Sequence, residues 1–354
     1  MRLPSARGPL SALVLDALAG PVRELPHLAG LAQERVAASQ DLLDDEDAQL
    51  TLTLLQELHY RGLEGVVDPE WEWAPGTIAA RVALERAVEA ALRRLTAGTV
   101  RAAVGPLGPT PDAEAVTKAL FALVNADNGP ELAKYLDRRA GLEEFREFVM
   151  HRSIYHLKEA DPHTWAIPRL TGRPKAALVE IQADEYGGGR PERMHSALFA
   201  RMMRALDLDD SYGAFLDRVP ASTLATVTAV TTFGLHRRLR GAVAGHLAVF
   251  EMTSSLPNRR YGNGLRRLGF DSDATWFFDE HVEADAVHEQ IAGRDLAGAL
   301  VEDEPELLID VFFGAASALA LDAQAGRRLL DSWAGGGTSL IATPAGLGSS
   351  AGTG

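Results

Sequence analysis

Three side chains that can bind a metal ion stand close together in the last third of the chain. His281, Asp285 and His288 are separated by four and three residues. On an α-helix, which turns about 100° per residue, this spacing places all three on one face. The aromatic run at residues 276–278 predicts that this helix packs inside the protein. The spacing therefore predicts a metal-binding helix, with an exposed polar face carrying two chance histidines as the alternative.

A second candidate pair flanks a glycine-rich bend. Glu185 lies ten residues before His195, and the three glycines at residues 187–189 let the chain turn so that both side chains face inward. Asp184 and Glu185 form an acidic helix end, where the helix dipole favours cations instead. We interpret this as an indication of a bound cation. The alternative is an ordinary helix end with an acidic last turn.

Two isolated carboxylates complete the candidate set. Glu251 follows the apolar residues 242–250, where an unpaired carboxylate is costly unless an ion or a metal neutralises it. Glu159 taken alone is more simply a surface acid, although His156 three residues earlier could form a ligand pair with it. The chain has no cysteine. Nitrogen and oxygen ligands must therefore hold any metal, and they suit iron, manganese or zinc.

Composition excludes several classes of function. The 354 residues are 46% hydrophobic and 24% charged, as in ordinary globular proteins. A net charge of −14 offers no basic surface for phosphates, so we expect no nucleic-acid partner. No segment reaches the roughly 20 apolar residues of a membrane span. The apolar residues 10–18 are short and interrupted by Asp16, so we expect no export signal and a cytoplasmic location.

Helical spacing of apolar residues dominates the chain and predicts an all-α fold. Residues 78–95 show it most clearly, whereas alternating patterns typical of strands are almost absent. Clusters of glycine and proline at 105–111, 187–191 and 256–264 predict breaks between helices. The predicted helices are 78–95, 142–157, 175–185, 192–206, 221–233, 239–252, 274–291 and 305–333.

The same patterns predict four parts of the chain. We expect a flexible N-terminus at residues 1–19, an N-terminal helical block at 20–105, and the metal-binding domain at 110–333. Residues 334–354 consist mainly of glycine, serine, alanine and threonine. Such a segment buries too little apolar surface to offset its ordering entropy, so a disordered tail is predicted.

Taken together, these motifs resemble a known family. The HxxxDxxH pattern on a late helix, the Glu and His around a glycine-rich bend, and the single upstream glutamates resemble the haem-oxygenase-like di-iron oxidases and oxygenases. Residues 153–203 are also similar to sequences labelled iron-containing redox enzymes. The resemblance covers roughly residues 113–330 and implies a haem-oxygenase-like helical bundle. The paired Glu-x-x-His motifs of ferritin-type bundles are absent.

The resemblance implies that seven side chains hold two ferrous ions: Glu159, Glu185, His195, Glu251, His281, Asp285 and His288. In that assignment His195 and His288 bind the first iron, with Glu159 as its terminal carboxylate. Glu251, His281 and Asp285 bind the second iron, and Glu185 bridges both. Four carboxylates and three neutral imidazoles carry a charge of −4, which two ferrous ions neutralise.

The resemblance implies an enzyme that uses O₂ to oxidise a small organic substrate, which the motifs do not identify. An electron donor and a homodimer are left open. One alternative is another cofactor on the same scaffold. A haem would need a proximal histidine, for which His151 or His156 is available, and thiamin hydrolysis of the familiar kind needs a cysteine. The other alternative is a helical binding protein without catalysis.

Overall fold

The structure, a computed structural model, describes residues 1–63 and 65–342, and only the backbone at residues 283–286. Every regular element in those residues is helical, which confirms the predicted all-α fold. The α-helices are α1 Pro9–Leu18, α2 Leu28–Ala38, α3 Glu46–Glu57, α4 Pro75–Val104, α5 Ala113–Asn125, α6 Leu132–Arg138, α7 Leu142–His156, α8 Asp161–Thr164, α9 Gly172–Glu185, α10 His195–Ala205, α11 Ala221–Leu235, α12 Arg240–Met252, α13 Ser255–Arg267, α14 Ser272–Gln290, α15 Ala299–Asp303 and α16 Leu308–Ala334.

Shorter helical turns join these elements. The 3-10 turns are Leu42–Asp44, Pro69–Trp73, Ile167–Arg169, Gly187–Gly189, Pro191–Arg193, Arg237–Leu239 and Pro305–Leu307. One π-helical segment, Ile291–Gly298, directly continues α14. Such wide turns occur often near functional sites.

The helix α11 is a buried core helix, as its apolar and threonine-rich sequence predicts. Nearly all of its residues from Ala221 to Gly234 are buried. Within the described residues, no helix combines the length and the apolar character needed to cross a lipid bilayer.

Two helices at the centre of the fold, α12 and α16, approach each other unusually closely at two glycines. A Cβ atom on Gly245 would lie 1.8 Å from the carbonyl oxygen of Val311. One on Gly314 would lie 1.9 Å from the carbonyl oxygen of Ala242. Only glycine permits this contact, which fixes α12 and therefore the position of Glu251 near its end.

The predicted break at residues 256–264 is wrong, because this segment lies inside α13. Pro257 falls in the first turn of the helix, where a missing N–H breaks no helical hydrogen bond. Gly264 packs against α6, and a Cβ there would lie 2.5 Å from the carbonyl oxygen of Leu136. The glycine serves close helix packing and does not end the helix.

The N-terminus differs from the predicted flexible segment. Residues Pro9–Leu18 form α1, whose Leu10, Val14 and Leu18 are buried. The carboxylate of Asp47 accepts hydrogen bonds from the backbone N–H groups of Leu10 and Ser11 at 3.0 and 2.7 Å. A helix start anchored in this way is ordered against the core.

The start of the predicted disordered tail also packs against the bundle. Ser339 is 1% exposed, and the N–H of Ile341 donates to the carbonyl oxygen of Arg218 at 2.8 Å. The rest of the predicted tail, residues 343–354, lies outside the described residues.

The helices of the predicted N-terminal block share one hydrophobic core with the later helices. Leu50 of α3, Val88 of α4, Leu224 of α11 and Phe312 of α16 belong to the same buried cluster. The long helix α4 packs along both α2 and α16. The block is therefore part of the framework that carries the later helices.

Candidate metal centre

Six of the seven predicted ligands converge in the protein interior from four helices and one loop. Helix α14 supplies two histidines, α9, α10 and α12 supply one residue each, and one glutamate follows α7. All six are between 2% and 9% exposed: Glu159, Glu185, His195, Glu251, His281 and His288. The seventh, Asp285, has its backbone in α14, but its side chain lies outside the described residues.

The six side chains form two groups of three. In each group, one donor atom per residue lies within 4.8 Å of the others. The first group is Glu159, His195 and His281, and the second is Glu185, Glu251 and His288. This grouping differs from the one that the resemblance implies. The structure places His281 with Glu159 and His195, where the resemblance implies His288, and it places His288 with Glu251, where the resemblance implies His281. Seven residues along a helix span about 10 Å, so each histidine reaches a different group.

Glu185 lies at the junction of the two groups. Its Oε2 atom is 3.1 Å from Nδ1 of His195, which belongs to the first group. The rings of His195 and His281 are also in contact, with centroids 4.3 Å apart. Glu185 is therefore the carboxylate best placed to contact ions in both groups.

The glycine-rich bend that separates Glu185 from His195 takes the form that the sequence predicts. Gly187, Gly188 and Gly189 have φ angles of 67°, 59° and 78°, which L-residues with side chains rarely adopt. Gly187 also lies against the backbone of Arg193, where a Cβ would be 2.6 Å from its carbonyl carbon. The bend ends α9 and lets α10 begin directly at His195.

Both α14 histidines are oriented by a hydrogen bond on the side away from the cluster. Nδ1–H of His281 donates to the carbonyl oxygen of Phe277 at 2.7 Å, so Nε2 faces Glu159 at 3.6 Å. Nε2–H of His288 donates to Oδ2 of Asp184 at 2.9 Å, so Nδ1 faces Glu251 at 3.6 Å. Metal-binding histidines are commonly held in this way.

Sequence reasoning missed the orienting role of Asp184 and considered His156 only as a possible ligand paired with Glu159. Asp184, the exposed acid next to Glu185, orients His288. His156 hydrogen-bonds Glu159, with its Nδ1 atom 2.7 Å from Oε1, and stacks on the ring of Phe199. The spacing of His156 and Glu159, three residues apart, was the available signal for this contact.

In the second group, the pKa values of His288 and Glu251 are both raised. Burial lowers the pKa of His288, but its contacts with the Glu251 carboxylate and with Asp184 outweigh burial and raise the pKa to about 9. Burial and the nearby Glu185 carboxylate raise the pKa of Glu251 above its usual value, despite the attraction to His288. This pair therefore binds a proton at neutral pH when nothing else neutralises its charge.

In the first group, neighbouring charged groups shift the pKa values of Glu159 and His195. Burial raises the pKa of Glu159, but the imidazoles of His156 and His281 reverse this and hold the pKa well below its usual range. Burial lowers the pKa of His195, while the carboxylates of Glu185 and Glu159 reverse that effect and raise it. Buried carboxylates and imidazoles that depend on one another for neutralisation are typical of functional sites.

Two polar atoms in the first group have no hydrogen-bond partner among the described residues. They are Oε2 of Glu159 and Nδ1 of His195, and both are fully buried. The contact of His195 with Glu185 is short but not aligned as a hydrogen bond. A buried polar atom without a partner costs about 1–3 kcal/mol. A bound cation would satisfy both atoms at once.

The other buried histidines have structural partners. Nδ1 of His151 contacts the hydroxyl of Thr223 at 2.6 Å, and Nε2 contacts that of Ser339 at 3.0 Å. Burial lowers the pKa of His151 to about 3. Both nitrogens are engaged, so His151 offers none to a haem iron. His246 packs against Phe250, with ring centroids 4.3 Å apart.

The fold and the cluster define an all-helical protein with buried glutamate and histidine side chains that could hold metal ions. The chain belongs to the iron-containing redox enzyme family, whose family model matches residues 146–323, half of the chain. All seven predicted ligands lie within this match.

A curated relative matches part of the chain. Nitrosourea synthase from Streptomyces achromogenes subsp. streptozoticus is 27% identical over 148 residues. The match covers 41% of this chain and 31% of that protein. The chain thus matches less than a third of the length of this relative.

Proposed function

We propose that this protein is a non-haem di-iron oxidase or oxygenase that activates O₂ to oxidise a small organic substrate. The observation that carries the proposal is the pair of three-residue groups, each composed of buried carboxylates and imidazoles. Family membership supports iron as the metal. Two adjacent groups, with Glu185 between them, support two ions per chain.

The residues present fit two ferrous ions. Oxygen and nitrogen donors of this kind suit iron, and a cation would neutralise the partnerless atoms of Glu159 and His195. We assign Glu159, His195 and His281 to one ion. Glu251 and His288 would hold the other, and Glu185 would contribute to both. Asp285 remains a predicted ligand because its position on α14 lies between the two histidines.

The two ferrous ions would supply the electrons that reduce O₂, and the protein would control where this happens. Asp184 and the carbonyl group of Phe277 fix the two α14 imidazoles, and His156 holds Glu159. The ring of Phe277 packs edge-on against that of Phe199 and contacts that of His281. These rings place apolar surface against one side of the centre.

Nitrogen oxidation is the first reaction to assay. The name of the partly matching relative, nitrosourea synthase, denotes formation of a product with oxidised nitrogen. The match covers a minority of both chains, so the substrate of the relative is not assigned to this chain.

The test measures iron and oxygen uptake on the same samples. Metal-free protein is loaded with ferrous iron without oxygen, desalted, assayed for iron and then mixed with oxygenated buffer. We expect rapid O₂ consumption by the native chain. His195→Ala and His288→Ala should lower both iron content and O₂ consumption, because each removes a ligand. His27→Ala, at an exposed position, is the control and should change neither. Full iron content and O₂ consumption in the first two variants would refute the proposal.

A further inference from the structure

A cavity of about 300 Å³ lies beside the candidate metal centre. Glu159, Glu185, Glu251 and His281 form part of its wall. Six aromatic side chains are among its other lining residues: Phe148, Tyr155, Phe199, Phe250, Tyr261 and Phe278. The volume is at the small end of the range for sites that bind small molecules. A compact ligand with an apolar body therefore fits between these rings, with one end at the metal centre.

One fixed guanidinium group faces this cavity. Among the described residues that line it, Arg152 is the single arginine or lysine. Its Nη2 donates to Oδ1 of Asp322 at 2.8 Å, and its guanidinium carbon lies 5.5 Å from the centroid of the Phe148 ring. A guanidinium has five N–H donors in a rigid plane, and the contacts with Asp322 and with the hydroxyl of Tyr261 leave some of them for a ligand. A planar anion such as a carboxylate is the ligand that such a group binds best.

Acidic side chains lie on the same part of the cavity wall. Outside the predicted metal ligands, Asp127 and Asp322 are its carboxylates. The loop after Asp127 reaches α16, because a Cβ on Gly129 would be 3.6 Å from Cβ of Ala323. Two carboxylates and one guanidinium leave an excess negative charge. A ligand that brings a cationic group as well as a carboxylate therefore complements the region best.

The position of Arg152 relates this region to the metal centre. Arg152 and His156 lie one turn apart on the same face of α7, about 6 Å along the helix axis. His156 in turn contacts the predicted ligand Glu159. A molecule whose polar head binds at Arg152 therefore extends its other end towards the centre.

We propose that the substrate carries an α-amino acid head group, an inference that rests on the proposed function. The carboxylate of the substrate pairs with Arg152, and its ammonium group faces Asp322 and Asp127. The side chain of the substrate passes between the aromatic rings towards the metal centre. Arg152 and Asp322 thus determine which class of molecule is presented for oxidation.

Three small probes of matched shape test this assignment. L-Norleucine carries both head groups, hexanoate lacks the ammonium group and pentylamine lacks the carboxylate. Calorimetric titration of metal-free and ferrous protein measures the affinity for each. We expect L-norleucine to bind at least about tenfold more tightly than either partial probe, because each partial probe lacks one of the two charged contacts of the head group.

Variants of Arg152 and Asp322, here called the head-group site, provide a second test. Arg152→Gln and, independently, Asp322→Asn should each weaken L-norleucine binding and remove its advantage over the partial probes. Arg146→Gln is the control, since Arg146 lies on the same helix but pairs with Glu143 outside the cavity lining. Circular dichroism verifies that each variant is folded.

The outcomes separate this inference from the proposed function. Equal affinity for the three probes, or unchanged L-norleucine binding in folded Arg152→Gln and Asp322→Asn, would overturn the assignment even in a chain that binds two irons. Tight and selective L-norleucine binding in a chain that takes up no iron would support the head-group site. It would refute only the di-iron proposal.

Discussion

At the scale of single residues, the histidines of α14 depend on partners outside the metal-facing cluster. Asp184 is exposed, yet it fixes the ring of His288 through one hydrogen bond. Replacing such a partner commonly lowers metal affinity about 10–100-fold. We expect a loss of this size for ferrous iron in Asp184→Ala, measured by anaerobic competition with a chelator. Glu180→Ala, at an exposed position on the same helix, is the control. Equal affinities in the two variants would contradict this role.

The raised pKa of His288 predicts how protons and metal compete. With a pKa near 9, His288 is protonated in the metal-free protein at pH 7. This proton stabilises the fold fully below the unfolded pKa of about 6.5, and the stabilisation is lost as pH rises through about 9. Iron needs the neutral ring, so binding at pH 7 should release a proton from His288.

Calorimetric titration of iron in buffers with different ionisation enthalpies measures this proton release. The release should decrease towards pH 10 and should be smaller in His288→Ala at pH 7. A release that is identical in the native chain and the variant would show that the proton comes from elsewhere.

Motifs and the family resemblance named seven candidate ligands, and the structure brings six of them together, but the sequence did not show how they combine. Helical spacing showed that His281 and His288 share a face. Their division between two groups depends on how α9, α10 and α12 are placed relative to α14. A local sequence pattern carries no information on that placement. The same holds for Asp184, whose charge at a helix end was visible but whose contact with His288 crosses from α9 to α14.

At the scale of elements, glycine has opposite effects in two long helices. A Cβ on Gly314 of α16 would overlap the backbone of α12, whereas Gly98 of α4 has no atom within 4 Å of such a Cβ. Gly98→Ala should stabilise the protein by about 0.5–1 kcal/mol, because alanine favours the helix. Gly314→Ala should destabilise it by at least about 1–3 kcal/mol through overpacking.

Urea denaturation of the metal-free protein measures both effects. The Gly314 variant should also bind less iron, because α12 carries Glu251. Stabilisation by both alanines would contradict the close packing of α12 and α16.

The elements were predicted well where apolar spacing was regular and poorly where glycine and proline had another role. The predicted helices at 221–233 and 239–252 correspond to α11 and α12 within a few residues. The predicted break at 256–264 failed, because glycine marks close packing in α13 as readily as it marks a turn. Only the neighbouring helix distinguishes the two cases.

At the scale of the whole molecule, a buried ion pair joins the N-terminal helices to the candidate metal centre. Lys158, next to Glu159, pairs with Glu57 of α3, and both are almost fully buried. Tyr212 also donates to Glu57 at 2.9 Å. Lys158→Met would leave the Glu57 carboxylate buried without its cation, which costs about 3–5 kcal/mol.

Denaturant unfolding of the single and double variants tests this coupling. Lys158→Met combined with Glu57→Leu should lose less stability than the sum of the two single variants, because neither charge remains. Lys134→Met removes an exposed ion pair with Glu131 and should change stability little. Additive losses in the double variant would show that the buried pair is not coupled.

The N-terminal helices illustrate what sequence patterns leave open at this scale. Their periodicity predicted helices in residues 20–105 but not the surface against which they pack. The shared core of α3, α4, α11 and α16 depends on contacts between residues more than a hundred positions apart. The family match begins only at residue 146 and so provides no information on these helices.

The central claim is that each chain holds two irons close together, and X-ray absorption tests it most directly. Metal-free protein is loaded with ferrous iron without oxygen, iron and protein are quantified, and the fine structure at the iron edge is recorded. Two irons per chain with only oxygen and nitrogen ligands, and iron–iron scattering at roughly 3.5–4 Å, are expected. One iron per chain without a neighbouring iron, or a haem spectrum, would contradict the claim.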